Sequence, residues 1–347
     1  MTAAELLREA CGTRFTAAVL RVERGGRAIL EEAFGRVDER PDAMPAGVTT
    51  SFDLASLTKP FIAAVALRAV AEGRIELDAP LCMWIGEWRA TPHETITLRT
   101  VLAHTSGMQS GADYRVLLSE NVEEFALSRE LVAAPFERVI YSDLGFIALG
   151  ILLARLYETS LARVVEDACA AFGATESRFR PRARDAAAIP ATEFDAWRGR
   201  VRGAVHDEKA HLMNGVAGHA GLFGTARDVA VLAEAFLGPL HGRADAALAP
   251  ATAREATIEQ GGDPVLRRGL GWALKTSDEN SCGANMSRST FGHTGFTGTC
   301  VWADPVRDLS IVLLTNAVYF GRNDLRDLRA AVCDSIVAEV DRCARSA

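Results

Sequence analysis

The chain has 347 residues, 49% of them hydrophobic, and a net charge of −7 from 38 basic and 45 acidic residues. This composition allows a sizeable core and excludes a disordered chain. The acidic balance argues against a nucleic-acid partner and offers no basic face to anionic lipid. No apolar run approaches the roughly 18–20 residues that cross a bilayer, so no membrane partner is expected.

The first eleven residues lack the basic and apolar regions of a secretory signal and read as a short amphipathic helix. Seven cysteines, at 11, 82, 169, 282, 300, 333 and 343, are scattered without a C-x-x-C pair. That pattern suits reduced thiols and a cytoplasmic location. Phe15 to Arg24 and Arg27 to Phe34 read as strands joined by the turn signal Gly25-Gly26. Thr49 to Asp53 is extended. A helix follows from about Leu57 to Glu72, stopped by Gly73.

From there to about residue 250 the pattern is helix and loop. Thr97 to His104 is a short helix closed by Thr105-Ser106-Gly107. Asp143 to Tyr157 and Leu161 to Phe172 are helices, and Arg178 to Arg200 is polar and irregular. Thr225 caps a helix that runs to Leu237, with Asp228 as its capping partner. Strand character returns at Leu270–Leu274, Gly298–Trp302 and Leu309–Asn316. An amphipathic helix from Asp324 to about Arg342 closes the chain. The expected fold is α/β of the α+β type: an antiparallel sheet flanked by N- and C-terminal helices, with an inserted all-helical region. The sheet region spans about 1–56 and 255–347 and the helical region about 57–254, within one domain, 1–347.

Ser56-Leu57-Thr58-Lys59 lies where the two regions meet. Serine and lysine three apart at a helix start share one face, one turn apart. The free N–H groups of a helix start favour developing negative charge. An amine beside a hydroxyl there is an arrangement for making a nucleophile, although an N-cap serine before a surface lysine has the same spelling. Two later stretches bear on it. Tyr141-Ser142-Asp143 precedes an apolar helix, and a tyrosine beside a cation favours its phenolate. His293-Thr294-Gly295-Phe296 sits among glycines at 292, 295 and 298 that let backbone approach a ligand closely. Leu102-Ala103-His104-Thr105-Ser106-Gly107 reads as a structural helix end.

In that order, S-x-x-K, Y-S-D and H-T-G resemble the serine β-lactamase and penicillin-binding-protein superfamily over nearly the whole chain, most closely its class C-like branch. The resemblance implies a β-lactamase/transpeptidase-like fold and an acyl-enzyme on Ser56. It also implies that Lys59 holds Ser56 and helps remove its proton. Free lysine has a pKa near 10.4, which burial and a neighbouring cation would have to lower for that work. Tyr141 is implied as the other proton carrier, and His293 as a residue that fixes substrate or tunes Tyr141. The N–H groups of Ser56 and Phe296 are implied as the oxyanion hole, beside Thr294 and Gly295.

Two positions depart from the penicillin-active pattern. Asp143 replaces the usual asparagine and favours a protonated Lys59. His293 replaces lysine and weakens anion recognition at neutral pH. Both point to esterase- or amidase-type hydrolysis of small acyl substrates. A β-lactamase, a D-Ala-D-Ala carboxypeptidase or a D-aminopeptidase is the alternative, and a non-catalytic binding protein on the same fold is the alternative of another class. The partner is a small ester, amide or β-lactam-like molecule. No cofactor or metal is expected: His206 and His211 are five apart, about 140° out of phase on a helix, in what reads as a loop lining the cleft. His219 reads as structural, and Trp197 as a residue that could border the cleft.

Overall fold

The two ends of the chain meet in one sheet. The computed structural model describes residues 1–243 and 248–345. Helix α1 (Ala3–Ala10) carries a capping box in which Thr2 and Glu5 satisfy each other's backbone N–H. The hairpin of β1 (Ala17–Arg24) and β2 (Arg27–Gly35) turns through Gly25 and Gly26, whose φ values of 59° and 71° suit glycine. Strand β3 (Phe52–Asp53) leads into the helical region.

That region contains α2 (Thr58–Ala71), α3 (Leu98–Leu102), α4 (Tyr114–Leu117), α5 (Val122–Ser128), α6 (Asp143–Leu156) and α7 (Leu161–Phe172). Helix α2 is buried nearly all round, as its unbroken apolar sequence requires. Short strands β4 (Arg178–Phe179), β5 (Phe194–Asp195) and β6 (Gly199–Arg200) break up the stretch expected to be irregular. The stretch expected to be a loop at residues 206–211 holds a short helix, α8 (Glu208–Leu212), capped by Asp207. Strand β7 (Leu222–Gly224) pairs with β3 and β4. Helix α9 (Ala226–Leu240) starts with the Thr225–Asp228 capping box and runs past the expected end through Pro239.

Helix α10 (Pro250–Ala256) precedes the remaining strands, β8 (Ala273–Leu274), β9 (Phe291–Thr294), β10 (Cys300–Asp304) and β11 (Leu309–Thr315). Helix α11 (Arg326–Arg345) follows. The antiparallel sheet has the order β2-β1-β11-β10-β9-β8. Strand β9 was not expected: Gly292 weakens its strand signal, yet a side chain there would run into Trp302 on the neighbouring strand.

Every residue of β11 is buried because both faces of the sheet are covered. Ile311 and Leu313 pack with Leu7, Phe15, Val332 and Ile336 beneath α1 and α11. Val312 and Leu314 point the other way. They join Val19, Phe236 and Trp272 in an apolar cluster that continues without a break into α2 and α6. The sheet and the helical region therefore share a core. Helix α9 lies in the stretch read as helical insertion, yet it packs against β1, β10 and β11.

Candidate active site

The Asp53 carboxylate shapes the turn that presents Ser56. It accepts the Ala55 N–H at 2.9 Å and the His206 N–H at 2.6 Å, and Ala55 takes a left-handed φ of 48°. Ser56 lies in a single 3₁₀ turn just before α2, and Lys59 in the first turn of α2 itself. The ammonium of Lys59 is fully buried. It donates to Ser56 Oγ at 3.2 Å and to the His219 carbonyl at 3.1 Å. It pairs with Asp143 Oδ1 at 2.8 Å. Three N–H donors thus meet three acceptors. Tyr141 lies against the same group, with its ring centre 4.8 Å from Lys59 Nζ.

Asp143 opens α6, whose N-cap is Ser142. Its other oxygen is 3.2 Å from Lys209 Nζ, Lys209 is 3.2 Å from Asp207, and Asp207 is 2.8 Å from His219 Nε2. Charges of alternating sign thus run from Lys59 to Asp207. Burial alone would push the Lys59 pKa down, but Asp143 and Tyr141 outweigh it and the pKa is raised. Burial opposes the charge of Asp143 as well, yet Lys59, His219 and Lys209 hold its carboxyl below the usual range. The direction of this shift agrees with the sequence expectation that Asp143 favours a protonated Lys59, and a lysine that donates to Ser56 Oγ is poorly suited to base work. His219, read as structural, supplies a carbonyl to Lys59 and a ring nitrogen to Asp207. Asp207 and Lys209 were missed, although their charged run was the available signal. Asp143, Asp207 and His219 bring three possible metal ligands within 4.8 Å of one another. Lys209 bridges the two carboxylates, so the positive charge they face is already provided.

His293 stands on β9 and is buried. Its Nδ1–H donates to the Thr294 carbonyl at 2.8 Å, and Nε2 has no partner among the described residues. Burial, Arg268 and Lys59 push its pKa down to about 3. His104 sits against the Tyr141 ring at 4.7 Å, and its Nδ1 accepts the Ser142 N–H at 3.0 Å. The segment read as a plain helix end therefore supports the tyrosine. Burial, then Arg268 and Lys59, hold His104 well below the usual histidine value. Arg268 was also missed. Its guanidinium lies 5.4 Å from the Tyr141 ring centre, and its Nε has no partner among the described residues.

These neutral histidines fix a pH dependence. A histidine whose folded pKa is depressed leaves the unfolded chain binding the extra proton, so stability rises with pH across the interval. For His293 that interval runs from about 3 to 6.5. Its share at about pH 5 is a loss of roughly 2 kcal/mol relative to about pH 7.5. Thermal melts of the wild type are expected to fall over that step, and His293→Gln to fall less. Equal losses in both proteins would count against the assignment.

The turn after β9 closes over Ser56 from the far side. Thr297 Oγ1 donates to the Asp53 carbonyl at 2.8 Å and Thr299 Oγ1 to the Leu54 carbonyl at 3.1 Å. A methyl group on Gly295 would lie 2.6 Å from that Leu54 oxygen, which explains the glycine. Ser56, Tyr141, Thr294, Gly295 and Phe296 line one cavity of about 380 Å³, shared with Arg329. Tyr141 and Thr294 also line a neighbouring cavity of about 410 Å³, with Arg268 and His293. Phe296 is 56% exposed, and its ring stacks on His206. The eight predicted site residues therefore converge. Trp197 stacks on Tyr114 with ring centres 5.2 Å apart and lines neither cavity.

A fold of this kind around a serine, a buried lysine and a tyrosine defines a class, and the chain is a serine hydrolase. It belongs to the β-lactamase family, whose model matches residues 4–334. A protein of Escherichia coli O157:H7 named as a D-alanyl-D-alanine carboxypeptidase is 32% identical over 314 residues, covering 79% of this chain and 71% of its own. The N-acetylmuramyl-L-alanine amidase of Bacillus subtilis (strain 168) is 29% identical over 344 residues, covering 87% and 77%. Among solved structures, EstCE1, described as a hydrolase with promiscuous acyltransferase activity, superposes with a TM-score of 0.76 at 23% identity. It covers 95% of this chain and 97% of its own. The class C β-lactamase of Rhodobacter sphaeroides gives 0.77 at 17% identity, covering 97% and 99%. The family acts on amide, ester, β-lactam or peptide substrates.

Proposed function

We propose that the protein hydrolyses small esters or amides through an acyl-enzyme on Ser56, with Tyr141 as the proton carrier and Lys59 as a fixed cation. The observation that carries this reading is the set of three acceptors around Lys59, one of them Ser56 Oγ. Because Lys59 is spent as a donor, the serine proton has to leave by another group, and Tyr141 lines the same cavity. In the first half-reaction Ser56 Oγ bonds to the acyl carbon and the carbonyl π pair moves to oxygen. The phenolate form of Tyr141 takes the serine proton and becomes the phenol. Collapse expels the leaving group, which receives that proton. Water then repeats the sequence and frees the acid. The N–H groups of Ser56 and Phe296 would receive the oxyanion in both halves.

A second reading, an amidase or peptidase for D-amino-acid or cell-wall-derived peptides, is favoured by Arg268. A guanidinium whose Nε has no partner among the described residues, beside Tyr141 and His293, offers a carboxylate-bearing substrate the charge that His293 lacks. The names of the E. coli and B. subtilis relatives point the same way. Intact-protein mass spectrometry after incubation with p-nitrophenyl esters, β-lactams and D-Ala-D-Ala peptides decides between them. The first reading expects a transient acyl mass on Ser56 from the esters. An adduct formed only by the D-Ala-D-Ala peptides selects the second. Folded protein that takes no mass from any of them, nor from a fluorophosphonate, would be a binding protein.

A further inference from the structure

Arg329, in the first turns of α11, is only 8% exposed. Its side-chain hydrogen bonds all go to backbone carbonyls of one turn: Nη2 to Gly295 O at 3.0 Å and Thr299 O at 3.2 Å, and Nε to Gly298 O at 3.4 Å. Taking a guanidinium out of water is unfavourable, and for Arg329 burial outweighs the attraction of nearby Asp324, so that its pKa is lowered. A methionine would fill a similar space without that penalty. The advantage of arginine must therefore lie in what it does to those carbonyls.

The carbonyl of Gly295 belongs to the peptide group whose N–H is that of Phe296. A trans peptide is planar, so this C=O and N–H point in opposite directions. Arg329 holds the oxygen from the α11 side, and the Gly298 N–H of the same turn donates to it as well, at 3.1 Å. Thr297 and Thr299 hold the same turn to Asp53 and Leu54 on the Ser56 side. Among the described residues the Phe296 N–H donates to no other backbone group, and Phe296 lines the cavity that contains Ser56. A donor bound at one end of an amide also polarises it, strengthening the hydrogen bond given by the other end.

We propose that Arg329 is a positioning residue for the oxyanion hole: by donating to Gly295 O it fixes and polarises the Gly295–Phe296 peptide, so that the Phe296 N–H meets the negative oxygen formed beside Ser56. The inference rests on Ser56 as the nucleophile. It gives helix α11 a part in the reaction, through the Gly295–Phe296 peptide group.

The test compares wild type, Arg329→Met, Arg329→Lys and Leu328→Ala, using thermal melts, p-nitrophenyl ester kinetics and the rate of fluorophosphonate labelling. Leu328→Ala loosens the same helix in its apolar core and shows what lost packing does by itself. In Arg329→Met, kcat and the labelling rate are expected to fall by about tenfold or more, with the roughly 10²–10³ lost when an oxyanion donor is deleted outright as the ceiling, and with KM little changed. Arg329→Lys keeps the charge and a donor and should recover part of the loss. The proposal is overturned if Arg329→Met slows turnover no more than Leu328→Ala, or if it raises KM and leaves kcat alone. Should Arg329→Met fail to fold, Arg329→Gln, which removes the charge, is set against Leu328→Ala and decides by the same criteria. Wild-type protein that is not labelled at Ser56 would sink the acyl-enzyme reading itself. Equal labelling of wild type and the neutral Arg329 variant, with equal kcat, would sink only the role of Arg329.

Discussion

Ser56→Ala is expected to lower ester hydrolysis by about five to six orders of magnitude, the loss found when a serine hydrolase loses its nucleophile. What remains is the rate that the oxyanion hole and substrate binding provide to a water molecule. The folded protein should survive, because Lys59 keeps two of its three acceptors, the His219 carbonyl and Asp143. A melting temperature close to wild type, together with loss of fluorophosphonate labelling, would identify Ser56 as the acylated residue. Turnover that persists within tenfold of wild type would show that another group performs the chemistry.

Lys59→Met is expected to damage both stability and turnover. It strands one oxygen of a buried carboxylate and removes the donor to the His219 carbonyl. Breaking a buried ion pair by deleting one partner costs about 3–5 kcal/mol, and the lower end applies because Lys209 still faces Asp143. The raised Lys59 pKa contributes stability below the ordinary lysine range, and this contribution fades as pH climbs through the folded value. The lowered Asp143 pKa contributes above the ordinary carboxylate range, and its contribution fades as pH drops through the folded value. The gap in melting temperature between wild type and variant should therefore hold between those two ranges and narrow in acid. Turnover should fall by about 10²–10⁴, because Ser56 loses its orienting donor and Tyr141 its neighbouring cation. Adding Asp143→Asn neutralises the stranded carboxylate. The pair of changes should regain part of the melting temperature and none of the activity. Recovery of activity in the double variant would mean that the charge on Lys59 has no part in the reaction.

How far the site could be read from the sequence depended on distance along the chain. Ser56 and Lys59 are one helical turn apart, and Tyr141 sits beside a visible N-cap, so local rules placed them. The Thr225–Asp228 box and the Gly25-Gly26 turn were legible for the same reason. The Asp143–Lys209 contact joins two helices far apart in sequence, and before folding Lys209 looks like any solvated charge. The direction of the Lys59 shift was legible from Asp143 in the sequence, but its strength depends on contact: burial argues the other way, and the 2.8 Å approach of Asp143 together with Tyr141 outweighs it. Arg268 and Arg329 belong to no motif. Each matters because of what the fold packs beside it, a tyrosine ring in one case and a row of carbonyls in the other. Strand β9 was hidden by its own Gly292.

The pairing of β1 with β11 also bears on how the protein is made. Ala18 faces Thr315 and Val22 faces Ile311 across the middle of the sheet. The first strand to leave the ribosome must therefore wait for the last before either has its central neighbour. Contacts between such distant stretches form slowly, since the long loop between them has to close first. Ser56 emerges early, but the turn that faces it lies between β9 and β10 and emerges late. A nascent chain halted before β9 would carry the nucleophile without its oxyanion donor at Phe296. Catalytic competence should consequently appear only once β10 and β11 have emerged, in step with closure of the sheet.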